Sequence, residues 1–134
     1  MSQPAEVLLE RAAPLVMVVD DSEDIREMIK FVLGARGYRV VEAENGQEAL
    51  KLARAECPAL ILMDLSMPVL DGFGAARGIR EITETCAVPI VAISAHNTID
   101  HRAKAFAVGF NDYLTKPLNF SQLLNLVQHF LQPA

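Results

Sequence analysis

The chain has 134 residues, a length that one domain fills and that can bury a core without disulfides or a structural metal. Hydrophobic residues make up 51% and aromatics 6%, with no Trp, so Val, Ile, Leu, Ala and Met must build the core, the mix of a parallel sheet covered by helices. Twelve basic against seventeen acidic residues give a net charge of -5, which disfavours a nucleic-acid backbone as partner because that affinity rests on Lys and Arg.

The first apolar run, Leu15 to Val19, is unbroken, as expected of a strand buried on both faces. Ser22, Glu23 and Asp24 then open a helix, a good cap followed by acids that suit the positive end of its dipole. Ile25, Met28, Ile29, Val32 and Leu33 repeat at helical spacing, with Gly34 and Gly37 as the stop. Arg39 to Ala43 reads as a weaker second strand, at a sheet edge because Arg39 and Glu42 interrupt it. Asn45-Gly46 turns the chain into a helix marked by Ala49, Leu50 and Ala53 that ends before Pro58. Ala59 to Met63 is the third strand, Pro68 and Asp71-Gly72 lie in the following loop, and a helix through Ala75, Ile79 and Ile82 ends in the loop from Thr83 to Val88. Pro89 starts the fourth strand, Ile90 to Ile93, where a proline costs no ladder bond. An alanine-rich helix runs through Ala103, Ala105, Phe106 and Ala107 to Gly109, and Asp112 to Leu114 is a short fifth strand. Asn119 caps a last helix whose Phe120, Leu123, Leu124, Val127, Phe130 and Leu131 form one apolar stripe.

Strands alternating with helices imply a doubly wound α/β fold, (βα)5, with a five-stranded parallel sheet and right-handed crossovers. Residues 1–13 read as an N-terminal extension and 14–134 as one domain. Cys57 and Cys86 have no metal-ligand or Cys-x-x-Cys spacing and read as free, inert packing thiols of a reducing cytosol. The apolar stretches are strand-sized, short of the roughly 20 residues a membrane span needs. Glu6, Glu10 and Arg11 break any signal-peptide pattern, so a cytoplasmic protein without a membrane partner is expected.

Several apolar runs end in charge. Asp20 and Asp21 follow the first, Asp64 follows Leu60 to Met63, and Lys116-Pro117 follows Tyr113-Leu114. In an open parallel sheet of strand order 2-1-3-4-5, the site lies beyond the carboxyl ends of the strands, between the first and third. Three carboxylates and one ammonium would meet there. Like charges so close cannot all stay ionised without a counter-cation, so the cluster implies a divalent metal, shifted protonation, or both. A carboxylate beside a hard metal and a lysine is also an acceptor for a phosphoryl group. The competing reading of Asp-Asp-Ser-Glu-Asp is a solvated helix cap, and Ser94 and Lys116 carry weight only as members of the set.

The residues resemble the receiver domain of two-component response regulators, a flavodoxin-like fold. The resemblance rests on V-V-D-D ending at Asp21, L-I-L-M-D-L-S-M-P-V-L-D-G from Leu60 to Gly72, I-V-A-I-S-A from Ile90, and G-F-N-D-Y-L-T-K-P-L from Gly109, and it spans about Leu15 to Phe130. It implies that Asp64 accepts phosphate from a histidine kinase or histidine phosphotransfer protein. Asp21 would then be a direct Mg2+ ligand, Asp20 a ligand through water, and the Ser66 carbonyl a backbone ligand, with Asp64 completing the metal set. Ser94 corresponds to the hydroxyl residue that turns toward the phosphoryl group, Tyr113 to the aromatic that swings inward with it, and Lys116 to the phosphate-pairing lysine. The Lys116-Pro117 bond would be cis, aiming that lysine into the crevice.

On the same resemblance, the output surface for a downstream protein is the face made by helix four, strand five and helix five. On physics alone, Tyr113 is equally a strand aromatic covering core. His101 and His129 read as residues of solvated helix faces, and His96 as overhanging the crevice. Gln122 and Leu126 stand where winged-helix members of the superfamily carry an acidic residue and an arginine for a symmetric dimer, so a monomer or weak dimer is expected. No DNA-binding domain fits after the last helix, so a stand-alone receiver with no direct nucleic-acid role is expected, not an enzyme beyond its own phosphorylation and dephosphorylation. The alternatives are a Mg-dependent aspartyl-phosphate phosphohydrolase, which would want Asp-x-Asp and a cap insertion, and a flavin module, which would want a Ser/Thr/Gly phosphate cradle in place of carboxylates.

Overall fold

The computed structural model describes residues 13–67, 69–82 and 87–131. The extension up to residue 12, Pro68 and Cys86 lie outside them. Strands β1 (Leu15–Val19), β2 (Arg39–Ala43), β3 (Leu60–Asp64), β4 (Ile90–Ser94) and β5 (Asp112–Thr115) alternate with helices α1 (Glu23–Gly34), α2 (Gly46–Glu56), α3 (Gly72–Glu81), α4 (Ile99–Ala107) and α5 (Phe120–Leu131). The sheet is parallel throughout and its order is β2-β1-β3-β4-β5, so β2 is an edge as its interrupted sequence predicts.

The unbroken apolar runs follow from burial on both faces. Val16 and Val18 of β1, Leu60 and Leu62 of β3, and Val91 and Ile93 of β4 pack against Ile29 and Leu33 of α1 and Leu123 and Val127 of α5. Their alternates Met17, Val19, Ile61, Met63 and Ala92 pack on the other face with Ala49 and Ala53 of α2, Ala75, Ala76 and Ile79 of α3, and Ala105 of α4. The small side chains on α2 and α3 let those helices lie close to the sheet.

The caps explain where helices begin. Ser22, Asn45, Asp71 and Thr98 each accept a backbone N–H from the first turn, and Asn119 does the same for α5 through the N–H of Gln122. Asp71-Gly72 therefore starts α3 and is not loop. Gly72 is required there: a Cβ would stand 2.5 Å from the Asp64 carbonyl oxygen and 2.8 Å from Leu65 Cα, so only glycine lets α3 start against the end of β3. Gly34 belongs to α1, and the left-handed residue that ends the turn is Gly37 at φ 88.

Helix phase sets exposure in α4, and the reading of Cys57 as a packing thiol is corrected. In α4 only Ala105 is buried; Ala103 and Ala107 face solvent, Phe106 is 45% exposed and Ile99 86%, because alanine and phenylalanine count as apolar wherever the helix phase puts them. Cys57 is exposed in the left-handed position after α2, at φ 47, and is no packing residue. No helix among the described residues is long and apolar enough to cross a membrane.

Truncating Ile61, which is fully buried between α2, α3 and the sheet, should cost about 2–5 kcal/mol as Ile61→Ala. Urea unfolding checks it, and a loss below about 1 kcal/mol would contradict a close-packed core at that position.

Candidate functional site

The register of the sheet assembles the crevice. Val19 pairs with Met63 across β1 and β3, so Asp20 and Asp64 leave the sheet at the same level. Asp20 still donates its N–H to the Ala43 carbonyl at 3.1 Å, and Arg26 of α1 donates to the Asp20 carbonyl at 2.7 Å, which ties the first loop to the sheet. On the other side, Ser94 pairs with Thr115, and the Lys116 N–H donates to the Ser94 carbonyl at 2.8 Å. The Lys116-Pro117 peptide is cis.

Asp20 and Asp64 are 1% and 3% exposed, while Asp21 is open to solvent. One oxygen from each of the three carboxylates lies within 4.8 Å of the others. Lys116 Nζ sits between two of them, 3.4 Å from Asp20 Oδ2 and 3.3 Å from Asp64 Oδ2, and donates a hydrogen bond to Asp64. The remaining oxygens are held by turns: Ser22 N–H donates to Asp20 Oδ1 at 2.8 Å and Ser66 N–H to Asp64 Oδ1 at 3.2 Å. Asp20 Oδ2 has the lysine at ion-pair distance but accepts no hydrogen bond. A buried carboxylate oxygen without a donor, inside a cluster of hard oxygen ligands open on the Asp21 side, fits a small divalent cation such as Mg2+.

Ser94 ends β4 with its side chain buried. Its Oγ accepts the His96 N–H at 3.0 Å and lies 3.3 Å from His101 Nε2. Tyr113 is 4% exposed, donates its hydroxyl to the His96 carbonyl at 2.7 Å, and is covered by Arg102, whose guanidinium carbon lies 4.8 Å from the ring centroid. Tyr113 packs in the core, as a strand aromatic would, and meets through His96 the same loop that Ser94 holds.

His129 is exposed, as expected, and so is His96, at the mouth of the site. His101 is not on a solvated face. It is half-buried, edge-on to Phe73 and Tyr113 and in reach of Ser94. The missed signal is Thr98: as the cap of α4 it makes His101 the third helical residue, the position that turns back toward the end of β4.

These features define a class, a parallel α/β domain with an acidic, lysine-bridged pocket at its switch point. Residues 16–128 match the response regulator receiver domain family. The chain is 39% identical over 115 residues to an uncharacterized 14.6 kDa protein of Leptolyngbya boryana, covering 86% of this chain and 88% of that one. It is 34% identical over 116 residues to the protein PilH of Pseudomonas aeruginosa, covering 87% of this chain and 96% of PilH. It also matches probable transcriptional regulators named ycf27, as in Porphyra purpurea, at 33% identity, and spans 51% of their length. Among solved structures, the chemotaxis protein CheY4 of Vibrio cholerae superposes with a TM-score of 0.85 at 33% identity, covering 89% of this chain and 99% of that one. The receiver domain of the sensor histidine kinase PA1611 of Pseudomonas aeruginosa superposes with a TM-score of 0.82 at 33% identity, covering 88% and 97%; that structure has a magnesium ion coordinated in its active site cleft. The chain belongs to the response regulator receiver family of two-component signalling.

Burial is the main influence on both inner aspartates and pushes their carboxyls above the ordinary 3.8. The turn N–H groups and Lys116 oppose it, while the Asp64 charge adds to the effect at Asp20, and the Asp21 charge adds to it at Asp64. Burial of Lys116 works against its charge, yet the two carboxylates outweigh that and hold the ammonium above 10.5. The folded, metal-free chain therefore keeps carboxyl protons that the unfolded chain has released above pH 3.8. Its stability falls as pH rises from that value through the raised folded pKa values. The lysine's contribution is complete below 10.5 and is lost only above it.

Asp20→Asn keeps an acceptor for Ser22 and removes one buried charge. It should raise the metal-free melting temperature at neutral pH by about 2–8 °C, the shift that roughly 1 kcal/mol gives a domain of this size. It should also shrink the stabilisation by Mg2+. Calorimetry with and without Mg2+ checks both; a lower metal-free melting temperature would contradict the charge repulsion assigned to this pair.

Proposed function

We propose that Asp64 is the phosphoacceptor of a phosphorelay, taking a phosphoryl group from a phosphohistidine of a sensor histidine kinase or a histidine phosphotransfer protein. The observation that carries the reading is Lys116 Nζ held 3.3 Å from Asp64 and 3.4 Å from Asp20 at the switch point of the sheet. Asp64 Oδ attacks phosphorus in line, the N–P bond breaks, and the donor's imidazole keeps the electron pair and takes a proton from water. Lys116 meets the charge on the equatorial oxygens. Asp20, Asp21, Asp64 and the Ser66 carbonyl are the proposed Mg2+ ligands; when bound, the ion neutralises these carboxylates and lets an anionic nucleophile approach an anionic donor.

The acyl phosphate carries roughly -1.5 to -2 of charge where the carboxylate carried -1, and it brings new acceptor oxygens. Ser94 donates to one of them, and the loop that carries His96 and meets Tyr113 passes the change outward. The output face is α4, β5 and α5. Ile99, Ala103 and Phe106 support it, since they share one side of α4 at i, i+4 and i+7 and face solvent. A second apolar surface, Met28 and Phe31 of α1 with Leu118 and Phe120, runs out from Lys116 and Pro117 and suits the phosphodonor protein.

The reading includes a domain over residues 14–134, a cytoplasmic location, a monomer or weak dimer, and no catalysis beyond the chain's own phosphorylation and dephosphorylation. The phosphohydrolase alternative is disfavoured by a site whose lysine is already paired to the acceptor carboxylate and by the absence, among the described residues, of a cap insertion over it.

Acetyl phosphate with Mg2+ should add one phosphoryl group to the wild type, seen as a mass increase, and none to Asp64→Asn. Equal labelling of both removes the assignment. Asp21→Ala should weaken Mg2+ binding by about tenfold or more, the loss of roughly 1.4 kcal/mol or more of ligand energy; unchanged affinity by titration removes Asp21 from the ligand set.

A further inference from the structure

The Ser94 hydroxyl is held from the α4 side. Among the described residues its Oγ has two polar partners, the His96 N–H at 3.0 Å and His101 Nε2 at 3.3 Å. His101 is itself fixed. Its backbone N–H donates to Thr98 Oγ1 at 3.1 Å, and its ring stands 5.4 Å from Phe73, 5.1 Å from His96 and 6.1 Å from Tyr113, centroid to centroid. The ring is thus wedged between α3, the β4–α4 loop and β5, with one nitrogen on the hydroxyl that the phosphoryl group requires. Burial, then His96 and Lys104, lower its pKa, which favours the neutral ring.

A serine hydroxyl has one proton. One lone pair of its oxygen takes the His96 N–H, and the hydroxyl proton goes to a bare imidazole Nε2 when the ring carries its own proton on Nδ1. We infer that His101 is a positioning residue for Ser94: its Nε2 takes the hydroxyl proton in the unphosphorylated chain and must release it before Ser94 can donate to a phosphoryl oxygen on Asp64. The consequence for switching rests on the phosphoacceptor reading of Asp64; the bond itself is a property of the resting chain. His101 thereby sets how far the resting state is favoured, and through its edge contact with Tyr113 it links the hydroxyl to the aromatic that borders the output face.

The test is a double-mutant cycle read as affinity for beryllofluoride with Mg2+, which occupies the place of a phosphoryl group on a carboxylate. His101→Leu should bind it about two- to tenfold more tightly than the wild type, the range that one net hydrogen bond covers. The same substitution in a Ser94→Ala background should change nothing further. His101→Gln, which keeps an acceptor near Ser94, should return affinity toward wild type. An equal effect of His101→Leu with and without the Ser94 hydroxyl, or none with it, overturns the inference. The imidazole nitrogen resonances of the unphosphorylated chain give a readout that needs neither ligand nor the Leu variant: the Nδ1–H tautomer should dominate in the wild type and lose that bias in Ser94→Ala. An unchanged tautomer also overturns the inference. Failure of the wild type to bind beryllofluoride, with the tautomer bias present, instead removes the phosphoacceptor reading and leaves the Ser94 bond standing.

Discussion

The site depends on one electrostatic arrangement: two buried aspartates at the ends of neighbouring strands, with a single ammonium between them. Alone, Asp20 and Asp64 would pay a large desolvation cost and repel each other. Lys116 makes their coexistence tolerable, but one positive charge against three carboxylates leaves the pocket short of cation. The deficit is visible in the Asp20 oxygen that accepts no hydrogen bond, and burial, with the neighbouring carboxylate adding to it, pushes both carboxyls up. A pocket left incomplete in this way is chemically receptive: it has room for a hard cation and, beside it, for an anion that brings its own charge.

The scaffold places these groups without using them in packing. The central strands β1, β3 and β4 are buried on both faces, α1 and α5 on one and α2 to α4 on the other, so along them polar chemistry is confined to the strand ends. Parallel pairing puts all the carboxyl ends on one edge. The β1–β3 and β4–β5 registers then level Asp20 with Asp64 and tie Lys116 to the end of β4. Gly72 adds a steric condition, since α3 begins in contact with the backbone of Asp64 and Leu65.

The two rims of the pocket differ in character. On the β1 side the partners are backbone N–H groups, Arg26 and solvent, a rigid and polar frame. On the β4 side Ser94 and Tyr113 are enclosed by His96, His101, Phe73 and Arg102. The exposed apolar side of α4, with Ile99 and Phe106, belongs to the same helix as His101.

Strand positions and the charged strand ends were legible in the residues alone, because a parallel strand covered on both faces must be an unbroken apolar run and any charge closing it stands out. The V-V-D-D, L-I-L-M-D and Y-L-T-K-P segments needed no coordinates to be singled out. The residues did not reveal which of two adjacent aspartates is buried, that α4 turns Ile99 and Phe106 to solvent, or that His101 reaches Ser94. Each of these is a matter of rotational phase. Composition records that a residue is apolar or titratable, while its direction is set by where a cap starts the helix, as Thr98 does for α4, and by what the neighbouring elements leave room for.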